Sequence, residues 1–313
     1  MSDMPELVLA GLAFIFGACV GSFVSVVSFR LPRELSIITP RSFCPACGQA
    51  LPTLANVPLL GYVFLRGRCA MCRGVISLRY PLTELALGTA AMSLSLRFEV
   101  GDALARFSLC AALMAVALID LDWRIVPDAI SLPGIAAGVL CATFLISGMG
   151  LMSSLLGVLV GAGLLWTLGE AYRLARGREG LGFGDVKLLG MVGAYLGWPG
   201  ALFTIFFGSL IGSLSGLMFA VAVSRWPDGA KTYPDSRTGA ADRLAPAENP
   251  PSAARAKDQL ESVMEPHASV CSSAAQGLRG LMQTQIPFAP FLSLAAAAYA
   301  IFQPELSRWY LGE

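Results

Sequence analysis

Two groups of carboxylates and one group of thiols in this 313-residue chain have the types and spacing to do chemistry. Asp185 sits in Leu181-Gly182-Phe183-Gly184-Asp185-Val186-Lys187, a glycine-flanked acid where a polar stretch meets the next apolar run. Asp120, Asp122 and Asp128 stand where an earlier apolar run ends. One aspartate from each place, brought together, would form a pair that cannot both ionise easily, so that one keeps a proton while the other activates water. Such chemistry needs neither histidine nor serine. It suits a chain whose single histidine, His267, lies in a polar stretch and leaves no HExxH zinc motif or Ser-His-Asp triad to build.

Within the first cluster, Asp120 directly follows the apolar run Ala115 to Ile119 and is the acid expected to be most buried. Carboxylates at the ends of apolar helices are tolerated where they face protein or water, and there they mark function. Asp122, one step further out, reads as a solvated interfacial acid. Asp128 follows Pro127 where a helix is expected to begin, and reads equally as a supporting acid of the site or as an N-cap or first-turn carboxylate. Around Asp185, Gly180, Gly182 and Gly184 permit backbone conformations and close approaches closed to other residues. Taken alone they fit a plain interfacial turn as well as a catalytic loop. Lys187 reads as snorkelling to the interface, with tuning of Asp185 or holding a substrate as the alternative.

Four of the eight cysteines form two CxxC pairs, Cys44-Pro45-Ala46-Cys47 and Cys69-Ala70-Met71-Cys72. The spacing is that of a zinc ribbon, in which four thiolates close a tetrahedral site, and Gly48 and Gly74 are expected to permit the knuckle turns. With every position filled by sulfur, the metal would staple the loop and have no open coordination site. Two disulfides would need an oxidising compartment, and a redox CxxC would not explain the duplication. Cys19, Cys110 and Cys141 lie in apolar runs and Cys271 in a polar one, and read as small packed residues or idle thiols.

These residues need elements to position them. Hydrophobic residues make up 55% of the chain and charged residues 14%, against about 25% charged in an ordinary soluble domain. The chain is therefore expected in a bilayer, and a net charge of +1 gives no basic excess for nucleic acid. Residues Leu7 to Phe29 are long enough to cross about 30 Å of hydrocarbon as a helix. Arg30-Leu31-Pro32 follows where a secretory signal would carry a small-residue cleavage site, so the segment is read as a retained membrane helix. Between Arg30 and Tyr80, Arg30, Arg33, Arg41, Arg66, Arg68, Arg73 and Arg79 face only Glu34, which places this loop in the cytoplasm by the positive-inside rule.

Apolar runs follow at about 82–98, 104–121, 129–148, 151–170, 186–198, 201–224 and 287–303. The fold expected is an all-α polytopic membrane protein of about eight transmembrane helices with a cytoplasmic four-cysteine zinc loop. It divides into a first helix at 1–29, the loop at 30–80, a membrane core at 81–224, an insert at 225–285 and a last helix at 286–313. The insert is rich in Pro, Ala, Ser, Asp and Arg and is expected to be mostly disordered. Alternation from a cytoplasmic loop puts the Asp120 to Asp128 turn and the Arg173, Arg176, Arg178 loop on the same side, so Asp120 and Asp185 are expected at one depth near the cytoplasmic interface.

These motifs resemble the type IV prepilin peptidases, bifunctional leader peptidase/N-methyltransferases of the GxGD aspartyl type, along almost the whole chain except the insert. Gly21-Ser22-Phe23 with Arg30-Leu31-Pro32 is similar to the opening motif of that family. The cysteine quartet, with Asn56-Val57-Pro58 between its pairs and Arg79-Tyr80-Pro81 and Glu84 after them, is similar to its zinc loop. Ile119-Asp120 with Pro127-Asp128 resembles the first catalytic motif, Gly182-Phe183-Gly184-Asp185-Val186-Lys187 the second, and Ile286-Pro287-Phe288-Ala289-Pro290-Phe291 the closing one. Two positions depart from the pattern: Ser25 stands where asparagine is usual, and Ala289 where glycine is usual.

The resemblance implies cleavage of the basic leader of prepilins or pseudopilins after a glycine, on the cytoplasmic side of the bacterial inner membrane, by Asp120 and Asp185. It also implies N-methylation of the new amino terminus from S-adenosylmethionine, as in type IV pilus and type II secretion systems. No GxGxxG-like fingerprint marks the methyl-donor site, for which Gly67 and Glu84 are the nearest candidates. An ion- or proton-coupled transporter could use the same aspartates, but would want them near the midplane in paired broken helices. A non-catalytic scaffold built on the zinc loop would leave the glycines around Asp185 unexplained.

Overall fold

The computed structural model describes residues 3–39, 42–44, 47–177, 182–224 and 287–311. Arg41, Arg178, Gly180, Leu181, His267, Cys271, Ile286 and the expected 225–285 insert lie outside the described residues. The named elements are all helical: α1 (Asp3–Arg30), α2 (Leu60–Phe64), α3 (Arg79–Arg97), α4 (Val100–Trp123), α5 (Asp128–Phe144), α6 (Leu151–Arg176), α7 (Phe183–Ser224) and α8 (Ala289–Leu311). Contacts divide the chain into one unit of Met1–Ser213 with Pro287–Glu313 and a second of Leu214–Ile286. The second is described only over the last turns of α7, and both central acids and all four clustered cysteines belong to the first.

Local chemistry sets the helix ends. α4 stops where Arg124 turns left-handed (φ 56°) and returns its N–H to the Asp120 carbonyl at 2.9 Å. α5 starts after the extended Pro127, with Asp128 in its first turn, where a carboxylate faces the positive end of the helix dipole. α6 ends at left-handed Gly177, with Arg173 and Arg176 in its last turn. α7 breaks at Gly197 (φ 70°, ψ −176°), just before Trp198-Pro199-Gly200.

Glycine positions show that this break is a reversal. Along the first limb, Leu189, Gly193 and Gly197 meet Gly161, Gly157 and Ser153 of α6 in turn. Along the second, Gly200, Gly208 and Gly212 meet Tyr299, Leu292 and Phe288 of α8. The first limb runs against α6 and the second against α8, and α8 begins at Asp120 beside the start of the first limb, so the two limbs are antiparallel. Four helices are long and apolar enough to cross a membrane, at Glu6–Arg33, Val100–Trp123, Leu151–Arg176 and Phe183–Phe219, the last of these containing the reversal. Asp128–Phe144 and Ala289–Gln303 are shorter apolar helices.

The core lies where α4, the first limb of α7 and α8 meet, and is filled by Leu109, Leu113, Val116, Ile119, Leu188, Leu189, Met191, Val192, Leu292 and Tyr299. The Tyr195 hydroxyl accepts a hydrogen bond from Ser108 of α4 at 3.1 Å. At the end of the core away from Asp120, Arg106 pairs with Asp102 at 2.5 Å, both buried, and donates to the Ala300 carbonyl at 3.2 Å. That carbonyl lies four residues before Pro304, which has no N–H to offer it. The buried guanidinium thus satisfies a main-chain acceptor that α8 leaves open.

Small residues let the helices touch backbone to backbone, as packing inside a bilayer favours. A Cβ on Gly157 would fall on the Gly193 carbonyl, and one on Gly193 on the Gly157 carbonyl. On α1, Gly17 meets the Leu87 carbonyl, and Gly21 meets Glu84 and the Thr83 carbonyl of α3. Gly157→Val should therefore cost more than the roughly 1–3 kcal/mol of an ordinary overpacking change. It is expected to abolish the monodisperse peak in detergent gel filtration, whereas Gly163→Ala, whose added Cβ would meet nothing within 4 Å, should leave that peak unchanged.

Candidate active site

Asp120 occupies the last turn of α4 and is 6% exposed. Its Oδ2 accepts the backbone N–H of Ala289 at 3.2 Å. Ala289 opens α8, and the first N–H groups of a helix have no partner of their own. The carboxylate therefore meets both an orphan donor and the positive end of a helix dipole. Pro290, next in the chain, could not have supplied this bond.

Asp185 lies in the first turn of α7, half-buried, with its N–H bonded to the Gly182 carbonyl at 3.1 Å. A Cβ on Gly182 would stand 3.7 Å from Asp185 Oδ2, and one on Gly184 would stand 2.9 Å from Val126 Cβ. Gly184 thus lets the turn between α4 and α5 close against the start of α7. That closure brings Asp120 and Asp185 within electrostatic reach of each other. From Asp120 back to Ser108 is twelve residues of α4 and from Asp185 on to Tyr195 ten residues of α7, roughly 18 and 15 Å of helix. The Ser108–Tyr195 bond at one end and the proximity of the acids at the other thus mark two neighbouring antiparallel helices in register.

The other acids of the first cluster have partners of their own. Asp122 forms a two-point salt bridge with Arg79 at 2.7 and 2.9 Å, tying the end of α4 to the start of α3. Asp128 pairs with Lys187 at 2.5 Å, tying the start of α5 to the start of α7. Lys187 thus bridges two elements and lies 5.0 Å from the Phe183 ring. Helix ends carrying Arg33, Arg79, Asp122, Asp128 and Lys187 share one end of the bundle with the two central acids, since Arg33 also stacks 5.0 Å from Trp123.

The four thiols converge as their spacing anticipates. The Sγ atoms of Cys44, Cys47, Cys69 and Cys72 all lie within 4.8 Å of one another, with Cys44 and Cys72 at 3.9 Å. A tetrahedron with Zn–S bonds of about 2.3 Å has edges of about 3.8 Å, so the residues fit zinc. The two knuckles repeat one pattern. Cys44 N–H bonds the Gln49 carbonyl and Gly48 N–H the Cys44 carbonyl, while Cys69 N–H bonds the Gly74 carbonyl and Arg73 N–H the Cys69 carbonyl. The left-handed residue is Gly48 in the first (φ 69°) but Arg73 in the second (φ 61°). The sequence expectation for Gly74 is thus corrected: the turn needs positive φ one residue after the last cysteine, wherever the glycine lies.

The N–H groups of Cys72 and Met71 draw the Cys69 thiol down to about 7. The Gly74 N–H lowers the neighbouring Cys72 thiol, but burial and the other three sulfurs outweigh it and push that thiol up to about 11. Four crowded sulfurs cannot all ionise without a cation among them.

The methyl-donor candidates fall elsewhere. Gly67 turns left-handed (φ 68°) against the Tyr62 hydroxyl. Glu84, 8% exposed, accepts the Leu59 N–H at 2.7 Å and a bond from Ser22. Among the described residues no hydrogen bond or ion pair joins either one to Asp120 or Asp185. Of the two departures from the motif pattern, Ser25 bonds Thr83 of α3 at 3.0 Å, and Ala289 supplies a main-chain N–H, which any residue but proline provides. Sequence reasoning missed that N–H as a site group, because main-chain donors carry no residue-type signal.

Residues 15–98 match the Bacterial Peptidase A24 N-terminal domain, and residues 107–217 match the Type IV leader peptidase family. A prepilin leader peptidase/N-methyltransferase of Burkholderia pseudomallei is 38% identical over 241 residues, covering 69% of this chain and 78% of that protein. One from Aeromonas hydrophila is 35% identical over 232 residues, covering 66% and 79%. One from Myxococcus xanthus is 34% identical over 309 residues, covering 94% and 90%. No solved structure matches the chain. With both family domains present and relatives aligned over most of their own length, the chain belongs to the type IV leader peptidase family.

Proposed function

We propose that this protein removes the leader peptide of type IV prepilins or pseudopilins after a glycine, by an aspartyl mechanism, and methylates the new amino terminus. The observation that carries the reading is that Asp120 and Asp185, from the end of one apolar helix and the start of another, lie within electrostatic reach of each other. In this mechanism the pair shares one proton and titrates as a unit. The ionised carboxyl takes a proton from water as its oxygen attacks the scissile carbonyl, and the other carboxyl protonates the carbonyl oxygen. Collapse of the tetrahedral intermediate, with a proton returned to the leaving nitrogen, frees the amine. Ala289 N–H orients Asp120, while Asp128, Lys187, Gly182 and Gly184 hold the loop that carries Asp185.

The substrate's own apolar helix would lie beside the enzyme's, setting its leader junction at the depth of both acids. Arg30, Arg33 and Arg79 stand at the same end of the bundle, which supports a cytoplasmic active site in the inner membrane. We read the two α7 limbs with α1, α3, α4, α5, α6 and α8 as eight crossings. The acids lie at helix ends, beside charged turns, which favours a peptidase over an ion-coupled transporter. Zinc would be held by Cys44, Cys47, Cys69 and Cys72 and would supply only cross-linking of the loop. S-adenosylmethionine would supply the methyl group.

Incubating purified enzyme with a prepilin and labelled S-adenosylmethionine reads leader loss and label uptake separately. Asp120→Asn and Asp185→Asn should each slow leader loss by roughly 10²–10⁴-fold, and cleavage at the wild-type rate by either would end the assignment. A transporter would instead show ion flux in vesicles that the same substitutions abolish. Ala289→Pro, which removes one N–H, should slow cleavage about ten- to a hundredfold with metal content unchanged. Elemental analysis should find one zinc per chain. Protons compete for the thiolates, so zinc retention should weaken as pH falls, and more steeply below about 7, where Cys69 as well as Cys72 takes up its proton. Chelation should open the loop to added protease before leader cleavage slows.

A further inference from the structure

Glu84 does its bonding at an unexpected depth. Gly21 packs its backbone against Glu84, so the carboxylate is level with the stretch of α1 that lies eight or nine residues, about 12 Å, inside Arg30. Counted along α3, it stands five residues, about 7.5 Å, inside Arg79. A helical side chain leans toward its own N-terminus, so the Leu59 N–H bonded to it at 2.7 Å sits one to two turns below the arginine rim. At this level α1 and α3 turn Phe23, Leu82 and Leu85 outward, 54%, 60% and 44% exposed.

The backbone makes an effort to be there. Leu59 adopts φ 60°, ψ −51°, with Leu60 N–H bonded to the Pro58 carbonyl at 2.6 Å. This three-residue turn of positive φ is rare and strained for a leucine, and it persists only where the surroundings impose it. Here Glu84 accepts the N–H of the residue at its centre. The turn aims α2 so that Gly61 is buried against the Ala55 carbonyl while Leu60, Val63 and Phe64, spaced three and four apart, are 54%, 68% and 79% exposed. Directly after α2 the chain returns to Arg66, Arg68 and Arg73, all exposed. A five-residue helix with its apolar face outward has no stability of its own in water.

We infer that α2 is an interfacial anchor: Leu60, Val63 and Phe64 contact the acyl chains of the leaflet at which α1 ends, and Arg66, Arg68 and Arg73 contact its anionic headgroups. Two observations select lipid as the occupant. α2 begins beside Glu84, at the level where α1 and α3 turn Phe23, Leu82 and Leu85 outward, and the arginines that follow it complement phosphate. Glu84 is the latch that sets the depth, holding the four-cysteine loop down against the membrane. The anchor holds whether or not Asp120 and Asp185 perform the proposed cleavage, since its test reads lipid contact alone.

The test places a benzophenone amino acid at Val63 or Phe64 in the full-length protein, in nanodiscs of phosphatidylethanolamine and phosphatidylglycerol, irradiated with and without a prepilin and read by mass spectrometry. The expected result is lipid adducts at both positions, unchanged by prepilin. Absence of lipid adducts would overturn the inference, and adducts to prepilin that replace the lipid ones would assign the face to substrate instead. As a second measurement, Phe64→Asp should raise the rate of tryptic cutting after Arg66 or Arg68 several-fold with zinc content unchanged. A rate equal to wild type would likewise overturn the anchor.

Discussion

A carboxyl group inside the last turn of a membrane helix is tolerated only where something other than hydrocarbon meets it, and the rest of this structure is arranged to meet Asp120. The groups that do so are the unpaired first N–H of α8 and the start of α7 with Asp185. Both are helix beginnings, and their dipoles present positive ends to the end of α4. One acid is held by the first N–H of α8 and faced by Asp185 of α7, and both of those helices must begin at the depth where α4 stops.

Glycine contacts enforce that depth. Gly157 and Gly193 bring α6 and the first limb of α7 backbone to backbone, and Gly184 brings α7 onto Val126 in the turn that follows Asp120. Without a hydrophobic driving force between helices in lipid, such close approach is the main source of specific packing. The ion pairs Arg79–Asp122 and Lys187–Asp128 add tethers at the same rim. Partly exposed as they are, they contribute little stability and chiefly fix register.

The cysteine loop follows a different logic. Its convergence is set by four sulfurs and by two knuckles with one hydrogen-bond pattern, almost independent of the helices. Its attachment to them runs through Glu84 and the strained turn at Leu59. Glu84, a methyl-donor candidate in the sequence, accepts a main-chain N–H of that loop.

The helices, the thiol quartet and both central acids were legible in the sequence, for physical reasons. Apolar runs of bilayer length have few alternatives to helix, CxxC pairs have few uses besides metal, and an acid beside an apolar run must be accounted for. The partners of those groups were not legible. That Lys187 answers Asp128, that Ala289 gives its N–H to Asp120, and that Arg73 rather than Gly74 takes the left-handed turn depend on which elements lie side by side. Residue type and spacing along the chain determine what each segment can become and which groups can react. Only the tertiary structure decides which groups meet, because that choice rests on backbone contacts between glycines and on main-chain donors that leave no trace in residue identity.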